Sequence, residues 1–313
     1  MKKSRSDICF IFGGIGVDYK GRIRNLDEKF IKDLDKIGIF LKVKYGIDIL
    51  SYLYNKEVKK NNQNITEWIA IYTCDYLLFN YLIRNGIKPD KVFGYSMGLV
   101  TATACVGSIS YEDGVKFLIN IKNFTENEYS MSSIIGLSYE EIKKIITQNS
   151  CEGYVQIGCL NSEYSYVISG IKDKVELINV ECEKIGALKI ININTSYAFH
   201  TQYLLESSMN LKKIINKFNL CDPKYIITSC IDGKELKKSN DISEELFKIL
   251  HSVINWGYTI KKQYENNDSD FMEVSLYKSI SKLTKINASG ANFYTYESID
   301  KLKSKNSLYL EGV

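Results

Sequence analysis

Histidine, proline and clustered cysteine are scarce in this chain of 313 residues. Only two histidines are present, His200 and His251, and the eight cysteines form no C-x-x-C pair. We therefore expect no zinc site and no other bound metal. Basic residues are dispersed among acidic ones and the net charge is only +4, so no block indicates a nucleic-acid track.

Long apolar runs are also missing. None approaches the roughly 20 residues that are needed to span a bilayer. The charged start leads directly into a strand, so we expect no secretion signal. These absences predict a cytoplasmic protein with reduced cysteines and without a membrane or nucleic-acid partner.

The first part of the chain alternates between strand and helix signals. Residues 8–12 form a buried-strand pattern that ends in the glycine loop 13–16. Helical periodicity covers residues 66–85, a short apolar strand precedes Gly94, and a helix is expected from Ser110 to about Phe124. This alternation predicts an α/β fold with a parallel sheet.

From residue 126 the order of elements changes to βαββαβ, which is the ferredoxin-like pattern. We therefore predict an inserted ferredoxin-like subdomain over residues 126–198. Residues 1–125 and 199–313 would form an α/β-hydrolase-like large subdomain. The predicted insert has strands at 133–137, 154–160, 164–170 and 188–193 and helices at 139–148 and 175–185. Further helices are expected at 203–218, 244–251 and 277–286.

The segment Gly94-Tyr95-Ser96-Met97-Gly98 reads as a nucleophile elbow, in which a strand turns sharply into a helix and exposes the serine hydroxyl. A serine needs a base and donors for the oxyanion. His200 is the preferred base because it follows a strand end. The backbone N–H groups of Met97 and Ile15 are the candidate oxyanion donors.

Five further segments give a resemblance to the family of malonyl-CoA:acyl-carrier-protein transacylases and polyketide synthase acyltransferases. They fall in the family's order along nearly the whole chain: Gly13-Gly14-Ile15-Gly16 for P-G-Q-G, Asn161-Ser162 for N-S-P, Tyr197-Ala198-Phe199-His200 for H-A-F-H, Asn255-Trp256 for P-V-x-W and Glu273-Val274-Ser275 for E-x-G-P. The elbow itself matches the family's G-H-S-x-G.

The resemblance implies a Ser96–His200 dyad that takes an acyl group from a thioester, with the histidine oriented by a backbone carbonyl near Ile249. It also implies an acyl carrier protein as partner, no cofactor and a monomer. Tyr95, Asn161 and Phe199 become candidate substrate-binding residues. His251 then has no catalytic role. The carrier is expected in the cleft between the subdomains.

One departure from the family pattern bears on the substrate. Malonyl-specific members carry an arginine 25 residues after the serine, and this position is Ile121 here. Lys122 is adjacent, and a one-residue shift would bring it to the site, but one residue turns a helix face by about 100°. A malonyl carboxylate that is buried without a cation costs several kcal/mol.

Ile121 therefore favours neutral acyl groups. The leading hypothesis is a trans-acting acyl hydrolase that clears acyl groups from carrier proteins in polyketide biosynthesis, because some stand-alone relatives without the arginine act in this way. The alternatives are a malonyl- or neutral-acyl-CoA:carrier transacylase and an inactive scaffold. Lys116, Lys122 and the lysines near Lys189 are candidate contacts for an acidic carrier.

Overall fold

The computed structural model describes residues 7–56, 63–121, 129–266 and 269–299. Two sheets organise this part of the chain. The larger one has six strands in the order β10-β9-β1-β2-β7-β8. Its strands are β1 (Asp7–Phe12), β2 (Lys91–Gly94), β7 (Ile226–Thr228), β8 (Glu235–Leu236), β9 (Ser269–Glu273) and β10 (Phe293–Thr295).

Strands of the large sheet pair in parallel, except for the antiparallel pair β7–β8. The central strand β1 is buried over five consecutive residues, as expected for a parallel strand that is covered on both faces. Its carboxyl end leads into the glycine loop 13–16, and the neighbouring β2 leads into Ser96. Both loops therefore meet at one edge of the sheet, where ligand sites of such folds lie.

The helices of this unit are α1 (Glu28–Tyr45), α2 (Ile49–Leu53), α3 (Gln63–Arg84), α4 (Met97–Cys105), α5 (Tyr111–Ile121), α8 (Leu205–Ile215), α9 (Ser239–Lys248), α10 (Trp256–Asn266) and α11 (Ile280–Asn287). The long helix α1 was not predicted, although its cap signals are present. The Asp27 side chain accepts from the Phe30 N–H at its start, and Gly46 ends it at φ 68°.

The second sheet is antiparallel, with strand order β4-β5-β3-β6. The elements follow the chain as β3 (Tyr129–Ile135), α6 (Tyr139–Gln148), β4 (Val155–Ser162), β5 (Ser165–Ile171), α7 (Lys172–Lys184) and β6 (Lys189–Ile193). This βαββαβ unit is ferredoxin-like. The predicted α/β fold with an inserted ferredoxin-like unit is confirmed.

Each sheet has a hydrophobic core of its own, and backbone hydrogen bonds join the two units. The Leu160 N–H donates to the Ile254 carbonyl over 2.8 Å, and the Ile254 N–H donates to the Gly158 carbonyl over 2.9 Å. We propose the subdomain boundaries given above; residues 126–128 lie outside the described ranges. Tyr197, at the end of the insert, packs into the large core.

Several predicted helix bounds were wrong. The helix expected at 203–218 begins with the 3-10 turn Gln202–Leu204 and continues as α8 to Ile215. Helix α9 ends at Lys248, so that residues 249–251 form the loop beside His200. The end of the helix predicted to reach Phe124 lies outside the described residues beyond Ile121. Within the described ranges, no helix combines the length and the apolar character needed to cross a bilayer.

Candidate active site

Ser96 lies in a sharp turn between β2 and α4. Its backbone adopts φ 56° and ψ −121°, a region that costs a non-glycine residue about 1–3 kcal/mol. Two glycines make the turn possible. A Cβ at Gly94 would lie 2.4 Å from the Leu99 backbone, and one at Gly98 would lie 2.4 Å from the Phe12 carbonyl oxygen. The G-x-S-x-G spacing therefore reflects close backbone packing behind the serine.

The His200 side chain faces Ser96, although the two residues lie far apart in the sequence. Its Nε2 lies 2.9 Å from Ser96 Oγ. The histidine also has a left-handed backbone, with φ 64°, and its N–H donates to the Leu250 carbonyl over 2.7 Å. Gly158 permits this approach, because a Cβ there would be 3.1 Å from the His200 Cβ. The structure thus brings together the two residues that the sequence singled out.

The imidazole of His200 is buried, and burial lowers its pKa to about 4 even though the Ile249 and Ser252 backbone groups raise it. Nδ1 makes no hydrogen bond of ordinary geometry to any described residue. No described carboxylate hydrogen-bonds or ion-pairs with this histidine either. The ring is therefore neutral at pH 7, and Nε2 can accept the serine proton when Nδ1 carries the hydrogen.

The candidate oxyanion donors lie beside the serine. Met97 is the first residue of α4, so its N–H has no partner one turn earlier in the helix. A Cβ at Gly14 would be 3.3 Å from the Ser96 Cβ, which places the glycine loop against this serine. Ile15, the next residue, lines the same cavity as Ser96 and Met97. Their role as donors stays a prediction.

An apolar cavity extends from Ser96, and we call it the acyl pocket. Its cavity volume is about 20 Å³, and the empty space is about 370 Å³ when the opening to solvent is included. None of the described residues that line it has a charged side chain. The residues that line it are Ile15, Trp68, Ser96, Met97, Val100, Phe117, Leu118, Ile121, Phe199, Ile249 and Leu250.

Ile121 and Phe199 therefore lie where the sequence places them, on the wall of the acyl pocket. Lys122 lies outside the described residues. Lys116 does not line the pocket, because its ammonium pairs with Glu112 and Asp113 at 3.3 and 3.2 Å. Trp68 was missed as a pocket residue. Its helical spacing on α3 indicates only a core position.

Tyr95 and Asn161 line a groove that is separate from the acyl pocket. The Tyr95 hydroxyl donates to Asn161 Oδ1 over 3.0 Å, and its ring packs edge-on against Trp256 with centroids 5.5 Å apart. Burial raises the pKa of Tyr95 well above its usual value, so the phenol stays protonated. Both residues line a groove of about 1120 Å³ between the ferredoxin-like sheet and helices α10 and α11. We call it the intersubdomain groove.

His251 lies apart from the serine–histidine pair. It is buried, and its ring packs against Phe247 with centroids 5.0 Å apart. Burial lowers its pKa, with Lys248 adding to the effect. These contacts agree with a structural role.

Comparison with known proteins finds relatives that are named malonyl CoA-acyl carrier protein transacylases. The chain is 25% identical over 289 residues to the malonyl CoA-acyl carrier protein transacylase of Bacillus subtilis (strain 168), which covers 90% of each chain. It is 24% identical to the polyketide biosynthesis malonyl CoA-acyl carrier protein transacylase PksC of the same strain, over 85% of this chain and 92% of the relative.

Solved structures agree on the fold. The malonyl CoA-acyl carrier protein transacylase of Coxiella burnetii superposes with a TM-score of 0.84 at 23% identity, over 95% of this chain and 96% of the other. A malonyl-transacylase in complex with a type II polyketide synthase acyl carrier protein gives 0.83 at 18% identity, over 93% and 96%. The model of the acyl transferase domain matches residues 9–303. The chain is therefore an acyl-transferring enzyme and belongs to the acyl transferase family.

Proposed function

We propose that this enzyme transfers short neutral acyl groups from a thioester to the thiol of an acyl carrier protein, through an acyl-Ser96 intermediate. The observation that carries the proposal is the acyl pocket, which begins at the serine and has no charged side chain among its described lining residues. Relatives that are named acyl carrier protein transacylases support the carrier as acceptor.

In the first half-reaction, His200 Nε2 accepts the Ser96 proton as Oγ attacks the thioester carbonyl. The N–H groups of Met97 and Ile15 bind the oxyanion. The intermediate collapses, the C–S bond breaks, and the imidazolium gives its proton to the departing thiolate. The Ile249 and Ser252 backbone groups, which raise the pKa of the imidazole, stabilise its transient positive charge.

The second half-reaction reverses this order. The carrier thiol gives its proton to His200, its sulfur attacks the acyl ester, and Ser96 regains its proton as the C–O bond breaks. Because burial holds the imidazole neutral at pH 7, it is ready to act as a base in both halves. The 2.9 Å distance between Oγ and Nε2 also argues against an inactive scaffold.

Selection against malonyl groups follows from the lining of the acyl pocket. A malonyl carboxylate there would face Ile121 and the neighbouring aromatic side chains, with no cation among the described lining residues. Desolvating it without a partner costs several kcal/mol. The narrow interior also favours a small group such as acetyl, because longer chains require the lining side chains to move.

The intersubdomain groove is the proposed path for the carrier's thioester arm. It begins at Tyr95, adjacent to the nucleophile, and has room for an extended chain. Tyr95 and Asn161, already hydrogen-bonded to each other, present polar groups that can orient amides of the arm. Lys261 and Lys282 lie along the groove, where they can meet an acidic carrier.

Hydrolysis of acyl carriers is the second candidate. Ile121 favours it, because a pocket with no cation among its described lining residues does not select the malonyl unit that an extender-loading enzyme supplies. The names of the relatives favour transfer over hydrolysis as the main activity, so the hydrolase predicted from the sequence takes second place.

A competition experiment tests the acyl preference. The protein is mixed with equal amounts of acetyl-CoA and malonyl-CoA, and the mass added to the intact chain is read at short times. We expect acetylation that is absent from Ser96→Ala. Predominant malonylation would contradict the proposal, since it requires a cation that the described pocket does not provide.

A further inference from the structure

A buried network of side chains joins the chain after the glycine loop to two other elements. Tyr19, which follows this loop, is fully buried. Its hydroxyl lies 2.6 Å from Asp75 Oδ1 on α3 and 2.6 Å from Ser275 Oγ, just after β9. The same hydroxyl accepts the Leu276 N–H over 3.1 Å. The network therefore ties a loop, a helix and the end of a strand together at one buried point.

The number of hydrogens in this network indicates that Asp75 is protonated. Ser275 Oγ also lies 2.8 Å from the Tyr277 carbonyl oxygen, which can only accept. Three contacts in the chain from Asp75 to this carbonyl each need a hydrogen. The hydroxyl groups of Tyr19 and Ser275 supply two of them. The third is present only if the Asp75 carboxyl carries it.

With a protonated acid, every contact of the network is satisfied in one direction. Asp75 donates to Tyr19, Tyr19 donates to Ser275, and Ser275 donates to the Tyr277 carbonyl. Each hydroxyl oxygen also accepts one backbone N–H, from Leu276 at 3.1 Å and from Tyr277 at 3.1 Å. With an ionised acid, Tyr19 has to donate to Asp75, and one contact in the chain is left without a hydrogen.

The surroundings of Asp75 also favour the neutral acid. The residue is 1% exposed and pairs with no cation among the described residues. Glu273 lies nearby, and its carboxylate accepts the backbone N–H groups of residues 279–281 over 2.8 to 3.1 Å. The thiols of Cys74 and Cys105 are its other titratable neighbours in the described part of the chain. Burial raises the pKa of Asp75 well above its usual value, although the hydrogen bond to the phenol lowers it, and Glu273 adds to the rise.

The network lies at one end of the segment that carries a proposed oxyanion donor. Ile15 lies between Phe12, where β1 ends, and Tyr19, and it lines the acyl pocket beside Ser96. Strand β1 fixes one end of this segment, and the Tyr19 hydroxyl fixes the other. A shift at Tyr19 would therefore move the Ile15 N–H relative to Ser96. A misplacement of about 1 Å at a reacting centre can cost about a hundredfold in rate.

We propose that Asp75 is a neutral carboxylic acid that donates a hydrogen bond to Tyr19, and that the two residues position the glycine loop for the reaction at Ser96. Asp75 does not line the acyl pocket, so it acts through Tyr19 as a positioning residue. Its protonation does not depend on the proposed function, whereas its effect on acylation rests on that function.

Infrared difference spectroscopy in D₂O tests the protonation. The spectrum of Asp75→Asn is subtracted from that of the unmodified protein at pH 8. We expect the difference to contain the band of a protonated carboxylic acid, because the variant lacks this one carboxyl. Asp173→Asn, which replaces an exposed aspartate, is the matched control and should remove a carboxylate band instead. A carboxylate band in the Asp75 difference as well would overturn the proposal.

Thermal unfolding from pH 5 to 8 gives an independent measurement. A carboxyl that is protonated in the folded chain and ionised in the unfolded chain destabilises the fold increasingly as the pH rises. The unfolding temperature of Asp75→Asn minus that of the unmodified protein should therefore increase over this range. The subtraction cancels the contributions of other titrating groups, including His200. A difference that stays constant would show that Asp75 is ionised in the folded protein.

Acylation kinetics test the positioning role, with whichever of acetyl-CoA and malonyl-CoA acylates Ser96 faster. Tyr19→Phe keeps the ring and removes the hydroxyl. Its maximal acylation rate should fall about tenfold while the half-saturating thioester concentration stays within about twofold, because the loop loses a hydrogen bond outside the pocket. Asp75→Asn should keep the maximal rate within about twofold, because its amide N–H can replace the acid hydrogen.

An unchanged maximal rate in Tyr19→Phe would overturn the positioning role, and so would equal losses in both variants. If Asp75→Asn does not fold, Tyr19→Phe takes its place in the infrared measurement. The acid band should then shift in frequency, because the acid loses its acceptor, and an unchanged acid region would contradict the hydrogen bond. If neither thioester acylates Ser96, the proposed function fails, while the infrared band still decides the protonation of Asp75.

Discussion

The pH dependence of acylation tests the buried state of His200. Burial lowers the pKa of this imidazole to about 4, against about 6.5 for an exposed histidine. In the proposed mechanism, the neutral form is the base that activates Ser96. Lowering the pH below 6.5 should therefore leave acylation almost unchanged until the pH approaches the depressed pKa.

The size of the effect follows from these two values. At pH 5, about nine-tenths of an imidazole with a pKa near 4 is neutral, against roughly 3% of one with a pKa of 6.5. The two cases differ by about thirtyfold in active enzyme at that pH. Acid also favours the unfolded chain, because His200 binds a proton at a higher pH in the unfolded chain than in the folded one.

The contribution of His200 to the stability of the fold should therefore change with pH in the same direction as the acylation rate. Between pH 6.5 and 4 the unfolded state holds more protons at His200 than the native state, so stability falls as the pH falls. The loss should reach roughly 3 kcal/mol at pH 4. His200→Gln, which cannot titrate there, should not show this part of the loss.

The assay is the rate of Ser96 acylation, measured as kcat/KM for acetyl-CoA by quenched-flow mass spectrometry from pH 4 to 8. Circular dichroism at each pH confirms that the protein is folded, and Ser96→Ala gives the background. We expect a single midpoint near pH 4. A midpoint near 6.5 in the folded enzyme would refute the buried, neutral imidazole.

Three further predictions concern the pocket and the elbow. Ile121→Arg should raise the malonyl-to-acetyl ratio of acylation at least about tenfold, read by competition mass spectrometry, because a guanidinium can pair with the malonyl carboxylate; an unchanged ratio would show that position 121 does not contact the acyl group. Gly98→Ala should destabilise the fold by about 3 kcal/mol or more in urea unfolding, because its Cβ would lie 2.4 Å from the Phe12 carbonyl oxygen; wild-type stability would contradict this packing. Tyr95→Phe should lower carrier-dependent turnover more than acylation by acetyl-CoA, because it leaves the acyl pocket intact and removes the hydrogen bond to Asn161, a loss of about 1 kcal/mol; equal effects on both steps would argue against a role in the groove.

The serine and histidine could be predicted from the sequence because the elbow has a strict local geometry. Close backbone contacts require glycine at positions 94 and 98, and the fixed spacing of these glycines around Ser96 can be read in the sequence. The scarcity of histidine then restricted the choice of base. The ferredoxin-like insert was predictable for a similar reason, because its strands and helices alternate over short distances.

Tertiary contacts explain what the sequence did not reveal. Helix α9 was predicted to reach His251, yet it ends at Lys248, and the following backbone turns so that the Leu250 carbonyl accepts from the His200 N–H. Trp68 has the periodicity of a core residue, and only packing against Phe199, with ring centroids 6.0 Å apart, places it on the acyl pocket. Helix α1 was missed although Asp27 and Gly46 marked its ends.

A chase of the acyl-enzyme tests the proposed transfer most directly. Ser96 is acetylated with acetyl-CoA, excess CoA thioester is removed, and the acyl-enzyme is mixed with either holo-acyl carrier protein or buffer. Intact-protein mass spectrometry then follows both chains. We predict that the acetyl group leaves Ser96 much faster with the carrier than in buffer and appears on the carrier thiol. Loss at the same rate in both mixtures, with no acetyl-carrier formed, would contradict transfer and identify water as the acceptor.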